Sequence, residues 1–227
     1  MEDQKVWVIV PVKALVEAKS RLSPVLTTAQ RRNLAFQMAG HTLCVLQTLQ
    51  KKGLIAGFVT VSRDPVVRTL TQKYGGVFLP EKISGTSPDV ALNAALTQAA
   101  RWTTATYSPD ALLILHSDLP FLRWEDLANL LRHAQAQPGQ EIALLSPDRH
   151  GRGTNSLFLR PPALLNFEFL FGENSFKKYQ DFIKGAGLEP TLYPLPNLGF
   201  DLDYPEDLAA ISRPFSSLLL NSDCPAI

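Results

Sequence analysis

The sequence predicts an α/β protein with a doubly wound, mostly parallel sheet and helices on both faces. Short runs of apolar, often β-branched residues, such as VWVIV at residues 6–10, are typical of strands buried on both sides. Segments of helical periodicity, most of them nine residues or longer, separate these runs, and Gly or Pro closes several of them. Strands that alternate with helices in this way favour a parallel sheet covered on both faces.

Taken in order, each of the first strands is followed by a helix that returns the chain to the start of the next strand. Thr27 and Thr28 are plausible N-caps of the first helix, and Gly75 and Gly76 end the second. The predicted strands cover residues 6–10, 57–61, 77–79, 111–115, 142–146, 157–160 and 191–194. The predicted helices cover residues 28–50, 66–74, 89–103, 123–137, 174–185 and 205–211.

Length, composition and charge limit the classes of protein to which this chain belongs. With 227 residues, 45% of them hydrophobic, we expect a single domain over residues 1–213 and a loosely packed C-terminal tail over residues 214–227. The net charge of +1 argues against binding to long nucleic acids, which favour a basic surface. The chain has neither a signal-peptide pattern nor an apolar run of membrane-spanning length, so we expect a cytoplasmic protein without a membrane partner.

A cationic segment follows the first predicted strand. PVKALVEAKSRL, residues 11–22, carries Lys13, Lys19 and Arg21. These cations are either an ordinary solvated surface or a cradle for a triphosphate, and their place beyond a buried strand favours the cradle. The chain contains no G-x-x-x-x-G-K-[ST] and no G-x-G-x-x-G, so neither a P-loop nor a dinucleotide site is predicted.

Carboxylates end two other segments. Asp118, in HSDLP after the fourth strand, either caps a turn or holds a metal ion, because a carboxylate at the end of a buried strand is costly unless it is hydrated, paired or metal-bound. Asp201 and Asp203 lie on one side of an extended stretch in GFDLDYPEDL. Carboxylates from distant segments that meet around one Mg²⁺ would fit its preference for oxygen ligands. We interpret Glu206 and Asp207 only as the acidic first turn of a helix.

Two further segments are rich in backbone and hydroxyl donors. DRHGRGTNSLFLRPP, residues 148–162, is either a flexible loop or a bed of donors for a second anion. FGENSF, residues 171–176, offers Gly172 for a close backbone approach and Ser175 at or near a helix N-terminus, where phosphate groups bind readily. The two segments therefore indicate a second anion site.

In this order, the motifs PVKALVEAKSRL, SGTSPDVALNAAL, LHSDLP, GRGTNSLFL, FGENSF and LDYPEDL resemble the CofC/FbiD guanylyltransferases of coenzyme F420 biosynthesis. The resemblance runs from about residue 6 to about residue 211, and it depends on the ordered set and not on one motif. It implies a GT-A-like nucleotidyltransferase fold. It also implies transfer of GMP from GTP to the phosphate of 2-phospholactate, phosphoenolpyruvate or 3-phosphoglycerate, with release of pyrophosphate.

The same resemblance implies roles for particular residues. The implied nucleotide-binding residues are Pro11, Val12, Lys13, Ser62, Ser87 and Asn93. The implied catalytic residues are Lys13, Lys19, Arg21 and Asp118, and Thr154, Gly172 and Ser175 are implied to seat the phospho-acid. Mg²⁺ is the implied cofactor, with Asp118, Asp201 and Asp203 as metal residues; Asp201 is favoured as the second ligand, and Asp203 either binds the ion or orients Asp201.

Two alternatives stay open at this point. One keeps the GT-A-type architecture with a molybdopterin or sugar-1-phosphate acceptor, and the other is a non-catalytic nucleotide-binding module. The implied partners are GTP and a small phosphorylated carboxylic acid, and a homodimer is left open. We interpret His116 as a structural neighbour of Asp118, because the acceptor phosphate is already ionised at neutral pH and needs no catalytic base.

Overall fold

The computed structural model describes residues 4–82 and 87–211, which build one seven-stranded sheet. In spatial order the strands run β3-β2-β1-β4-β6-β5-β7. Pairing is parallel throughout except around β6, which runs antiparallel to both β4 and β5. The strands are β1 Val6–Pro11, β2 Gly57–Ser62, β3 Val77–Pro80, β4 Ala111–Leu115, β5 Ile142–Pro147, β6 Thr154–Arg160 and β7 Thr191–Leu192.

Helices cover both faces of this sheet, as the sequence predicts. One apolar cluster packs α1, α2 and α4 on one face, and a second packs α3 and α5 on the other. The helices are α1 Thr28–Lys51, α2 Pro65–Lys73, α3 Pro88–Tyr107, α4 Trp124–Ala136, α5 Ser175–Gly185, α6 Pro196–Gly199 and α7 Pro205–Ala210. The prediction of a doubly wound, mostly parallel α/β fold is therefore confirmed.

Local sequence explains where several elements begin and end. Thr27 and Gln30 form a capping box, in which each side chain bonds the backbone N–H of the other residue at the start of α1. Asp64 caps α2 by accepting from the N–H of Val66. Gly76 precedes β3, where a Cβ would lie 2.1 Å from the Phe58 ring, so this close approach requires glycine.

The structure also differs from the predicted boundaries. Strand β6 begins at Thr154, whereas the sequence predicted a strand from residue 157, because antiparallel pairing with β5 starts at Pro147 and Thr154. The short helix α6 was not predicted. The domain boundary at residue 213 and the tail over residues 214–227 lie outside the described residues. No helix in the described ranges is long and apolar enough to cross a membrane.

Candidate active site

The carboxyl ends of β1 to β4 meet at one edge of the sheet, where three distant segments converge on a single ammonium group. Lys19 Nζ lies 2.7 Å from Asp118 Oδ2 and 2.9 Å from Asp203 Oδ1. Arg21 donates to the other oxygen of Asp203 at 2.7 Å. The side chain of Lys19 is 7% exposed, whereas that of Arg21 is 59% exposed, so Lys19 is the internal cation and Arg21 the external one.

The backbone at Lys19 shows that this arrangement is specified locally. Lys19 has a φ of 55°, in the left-handed region that residues other than glycine rarely adopt. It lies between two 3₁₀ turns, Leu15–Glu17 and Ser20–Leu22, and this change of direction aims its side chain back at the sheet. A strained conformation at this position is consistent with a functional site.

The ion pairs shift the pKa values of the groups that form them. Burial would lower the pKa of Lys19, but the charges and hydrogen bonds of Asp118 and Asp203 outweigh it and hold that pKa above its ordinary value. Burial would raise the pKa of Asp118, but Lys19 and, less strongly, His116 hold it below its ordinary value. Both groups are therefore charged at neutral pH.

Asp201 differs from its two acidic neighbours because, in the described chain, it forms no ion pair. Burial, together with the negative charge of Asp118, raises the pKa of Asp201 to about 6. Leu202, between Asp201 and Asp203, holds this segment next to the carboxyl end of β4, because its N–H donates to the backbone oxygen of Asp118 at 3.2 Å. The acidic segment and Asp118 thus form one cluster that is short of positive charge.

The donor set of this cluster fits a hard divalent cation. Asp118 Oδ1 is buried and accepts no hydrogen bond from the described part of the chain, and the raised pKa of Asp201 shows that its ionised form lacks compensation. Within residues 4–82 and 87–211, however, no group of three His, Cys, Asp or Glu side chains is already arranged around a metal position. Lys19 lies between Asp118 and Asp203 instead, so the ammonium takes the central place among the carboxylates.

The acidic segment is held from behind by a buried ion pair. Asp207, which is 2% exposed, accepts from the N–H groups of Asp203 and Tyr204 at 2.7 Å each through one oxygen. Its other oxygen pairs with Arg149 of the loop after β5. The sequence interpretation treated Asp207 as a helix-turn acid only, and it missed this contact because the partner lies 58 residues away.

A cavity of about 440 Å³ opens beside this cluster, between the segment after β1 and the start of α3. Pro11, Val12 and Lys13 line it on one side, and Ser87, the N-cap of α3, lines it on the other. His116 and Asp118 close one end. The volume falls in the range of small-molecule sites, so the predicted phosphate segment and the start of α3 face one ligand-sized space.

Two predicted nucleotide residues are engaged in structural contacts. Asn93 exchanges two hydrogen bonds with the backbone of Phe171, both at 2.9 Å. Ser62 is fully buried, and its hydroxyl accepts from the N–H of Asp64 at 3.1 Å. Neither residue is among those that line the cavity, so their role in nucleotide binding stays a prediction.

Of the three residues predicted to seat the phospho-acid, Thr154 and Ser175 adjoin the loop after β5, and Gly172 lies against Asp89 at the start of α3. Thr154 is 2% exposed, and its hydroxyl has no partner in the described structure. Gly172 has a φ of +118°, and a Cβ there would lie 2.1 Å from Asp89 Oδ2. Ser175 opens α5, whose next residue, Phe176, donates to the backbone oxygen of Arg152 at 3.0 Å. These contacts connect α5 to the loop that leads into β6.

Comparisons with known structures agree on the fold, which this chain shares with solved nucleotidyltransferases. A solved 4-diphosphocytidyl-2C-methyl-D-erythritol synthase from Anaerococcus prevotii superposes with a TM-score of 0.61 at 9% identity, covering 92% of this chain and 95% of that one. At that identity the likeness concerns the architecture alone. It confirms the predicted GT-A-like nucleotidyltransferase fold.

Sequence comparisons then give the family. The model of the CofC-like guanylyl transferases matches residues 6–212, so the chain belongs to that family. A phosphoenolpyruvate guanylyltransferase from Rubrobacter xylanophilus is 38% identical over 91% of this chain and 93% of its own length. A second one, from Thermobaculum terrenum, is 33% identical over 92% of this chain and 83% of its own length. The chain is therefore an enzyme of the nucleotidyltransferase class, as the motifs predicted.

Proposed function

We propose that this enzyme transfers GMP from GTP to the phosphate of phosphoenolpyruvate, with Mg²⁺ as cofactor, and that the reaction serves coenzyme F420 biosynthesis. The observation that carries the proposal is that Asp118 and Asp203 both pair with the buried ammonium of Lys19 at the carboxyl ends of the parallel strands. Among the three candidate acids, phosphoenolpyruvate is supported by relatives of that activity at 32–38% identity.

The reaction joins two anions. An oxygen of the acceptor phosphate attacks the α-phosphorus of GTP, the bond between the α-phosphorus and its bridging oxygen to the β-phosphate breaks, and the electron pair leaves with pyrophosphate. The attacking oxygen is already ionised, so no side chain has to remove a proton. Catalysis of such a transfer depends on positioning and on neutralisation of charge.

The residues at the sheet edge are suited to that task. Asp118, Asp201 and Asp203 are the proposed Mg²⁺ residues, and the ion would neutralise charge on the α-phosphate. Lys13 and Arg21 are exposed cations on the segment after β1, and we assign them to the departing pyrophosphate; Arg21 also pairs with Asp203. Lys19 bridges the two ligand segments and places its positive charge 2.7 Å from Asp118, which lines the cavity.

A second anion needs a seat of its own, and we assign it to Thr154, Gly172 and Ser175. The unpartnered hydroxyl of Thr154 is a donor without a recipient in the described chain. Ser175 is at the N-terminus of an eleven-residue helix, where the helix dipole favours an anion. Two hydroxyl side chains and the backbone at Gly172 suit a small acid, whose phosphate and carboxylate oxygens accept hydrogen bonds.

A pyrophosphate-release assay tests the proposal. With Mg²⁺ and GTP, we expect turnover with phosphoenolpyruvate to exceed that with 2-phospholactate or 3-phosphoglycerate, and CTP and UTP to replace GTP poorly. Release with a sugar 1-phosphate and another nucleotide would contradict it in favour of a different transferase. GTP binding without pyrophosphate release from any acceptor would contradict it in favour of a non-catalytic module.

A further inference from the structure

The cavity beside the acidic cluster has two chemically different ends. One end is closed by Asp118, at the proposed metal position. The other is bounded by Glu81, directly after β3. The carboxyl ends of β3 and β4 are separated by three inter-strand steps, or about 14 Å. A nucleotide with its α-phosphate at the metal end would therefore extend its base towards β3.

The walls between these ends suit a flat heterocycle. Val12, Val61 and Ala95 are buried and line the cavity, and Leu92 adds a further apolar surface from α3. Apolar walls with a few fixed polar groups are the usual composition of such pockets. The polar groups at the far end therefore decide which base is accepted.

Glu81 is the carboxylate at that end whose side chain forms no hydrogen bond or ion pair within the described residues. Glu17 also lines the cavity but pairs with Arg63, and Asp89 accepts from the N–H of Glu173 at 3.3 Å. The side chain of Glu81 accepts no hydrogen bond from residues 4–82 or 87–211, although it is half-buried. Burial raises the pKa of Glu81, and the charge of Arg63 offsets this only in part.

The backbone on both sides of Glu81 is held in place. Its own N–H donates to the backbone oxygen of Ser62 at 3.0 Å. The side chain of Gln98, on α3, donates to the oxygen of Pro80 and accepts from the N–H of Lys82, both at 2.9 Å. A side chain whose backbone is fixed from two directions while its own oxygens stay unpaired is preorganised for a ligand.

We infer that Glu81 reads the guanine base of GTP by accepting hydrogen bonds from N1–H and from the 2-amino group. Guanine presents two donors side by side on this edge, which match the two oxygens of a carboxylate. Adenine and cytosine present an acceptor beside their amino group, and uracil presents one donor between two carbonyls. The inference rests on the proposed function, because it takes GTP as the ligand of this cavity.

Purine analogues and the Glu81→Gln variant test the inference by calorimetric binding to the full chain. The unsubstituted protein should bind GTP at least about tenfold more tightly than inosine triphosphate, which lacks the 2-amino group. Xanthosine triphosphate should bind it more weakly still, because its 2-oxygen would face the carboxylate. In Glu81→Gln the amide can donate to that 2-oxygen, so we expect affinity for xanthosine triphosphate to rise and affinity for GTP to fall.

Asp89→Asn is the matched control, since it changes another carboxylate of the same cavity and should leave the order of the three purines unaltered. A gain for xanthosine triphosphate in Glu81→Gln supports the inference, and a misfolded variant would not produce it. If the order of affinities for the three purine nucleotides is unchanged in Glu81→Gln, or if it reverses in Asp89→Asn instead, the inference is overturned while the proposed function stands. Failure of the unsubstituted protein to bind GTP overturns the proposed function, and this inference with it.

Discussion

At the scale of single residues, Lys19 is the group on which the site is organised. Its ammonium joins segments that lie 99 and 184 residues away along the chain, and its backbone adopts a left-handed conformation to reach them. The two carboxylates it bridges would repel each other without it, since both lie partly out of water. Lys19 therefore stabilises the fold as well as preparing the site.

Replacing Lys19 by Met should separate these two roles. In buffer with a chelator, we expect Lys19→Met to lower the free energy of unfolding by about 2 kcal/mol, because two facing carboxylates lose their shared cation. Urea titration measures the loss, and added Mg²⁺ should restore more stability to the variant than to the unsubstituted protein. Lys177→Met, at an exposed pair with Asp181, should change stability by less than about 0.5 kcal/mol. Equal losses in the two variants would contradict a special role for Lys19.

The raised pKa of Asp201 predicts that this residue contributes less to the free energy of unfolding as the pH rises, whereas a salt-bridged acid contributes more. Its pKa of about 6 in the folded protein lies above the unfolded value of 3.8, so the folded state binds the proton more tightly. Without metal, its contribution to stability is therefore lost as the pH rises from about 4 to about 6. After allowance for solvent screening, Asp201→Asn should gain about 1 kcal/mol relative to the unsubstituted protein between pH 4 and pH 7.

Urea titrations at these two pH values in chelator measure that difference. Asp181→Asn removes an exposed carboxylate remote from the cluster and serves as the control. The free energy of unfolding of Asp201→Asn should rise relative to that of the unsubstituted protein between pH 4 and pH 7. A difference that stays constant or falls as the pH rises would contradict the raised pKa of Asp201.

At the scale of elements, the ion pair of Asp207 with Arg149 couples the loop after β5 to the acidic segment before α7. We expect Asp207→Asn to reduce the rate of pyrophosphate release about tenfold, because Asp203 would be held less firmly. The affinity for GTP should change little, because Asp207 does not line the cavity. Arg149→Met should reduce the rate as well, and the double variant should be little slower than Asp207→Asn, since both changes remove the same ion pair.

Glu206→Gln provides the comparison for this pair. Glu206 is an exposed acid in the same first turn of α7, and it should have the unsubstituted rate. Equal effects at positions 206 and 207, or independent and additive effects of Asp207→Asn and Arg149→Met, would show that the ion pair does not position the acidic segment.

At the scale of the whole molecule, sequence patterns predicted the sheet and most of its helices, and they placed the candidate site at the carboxyl ends of the strands. Apolar runs identify buried strands, and parallel strands bring their carboxyl ends together, so the proximity of Asp118 to the segment after β1 was predictable. The segment of Asp203 follows α6 and no strand of the sheet, so its place beside Asp118 was predicted only as a shared metal site. Long-range side-chain pairing was not predictable. The left-handed turn at Lys19 and the contact of Asp207 with Arg149 depend on tertiary packing that leaves no local signal.

Two other residues show why site assignments need the folded chain. Asn93 matches a family motif, yet its amide exchanges two hydrogen bonds with the backbone of Phe171. Glu81 matches no motif, and a glutamate after a strand is ordinarily a solvated one. Only the folded chain shows that Gln98 of α3 fixes the backbone on both sides of Glu81, and that the Glu81 side chain has no hydrogen-bond partner in residues 4–82 and 87–211. Neighbours in space, and not residue type, distinguish these two side chains.

The most direct test of the account is whether Asp118 and Asp201 hold the same divalent ion. Binding of Mn²⁺, a paramagnetic substitute for Mg²⁺, can be followed by the loss of its free EPR signal in the unsubstituted protein, Asp118→Asn, Asp201→Asn and the double variant. We predict that each single variant binds at least about tenfold more weakly and that the double variant is little worse than either, as for two ligands of one ion. Undiminished binding by Asp118→Asn, or losses that simply add, would contradict a shared metal site at the edge of this sheet.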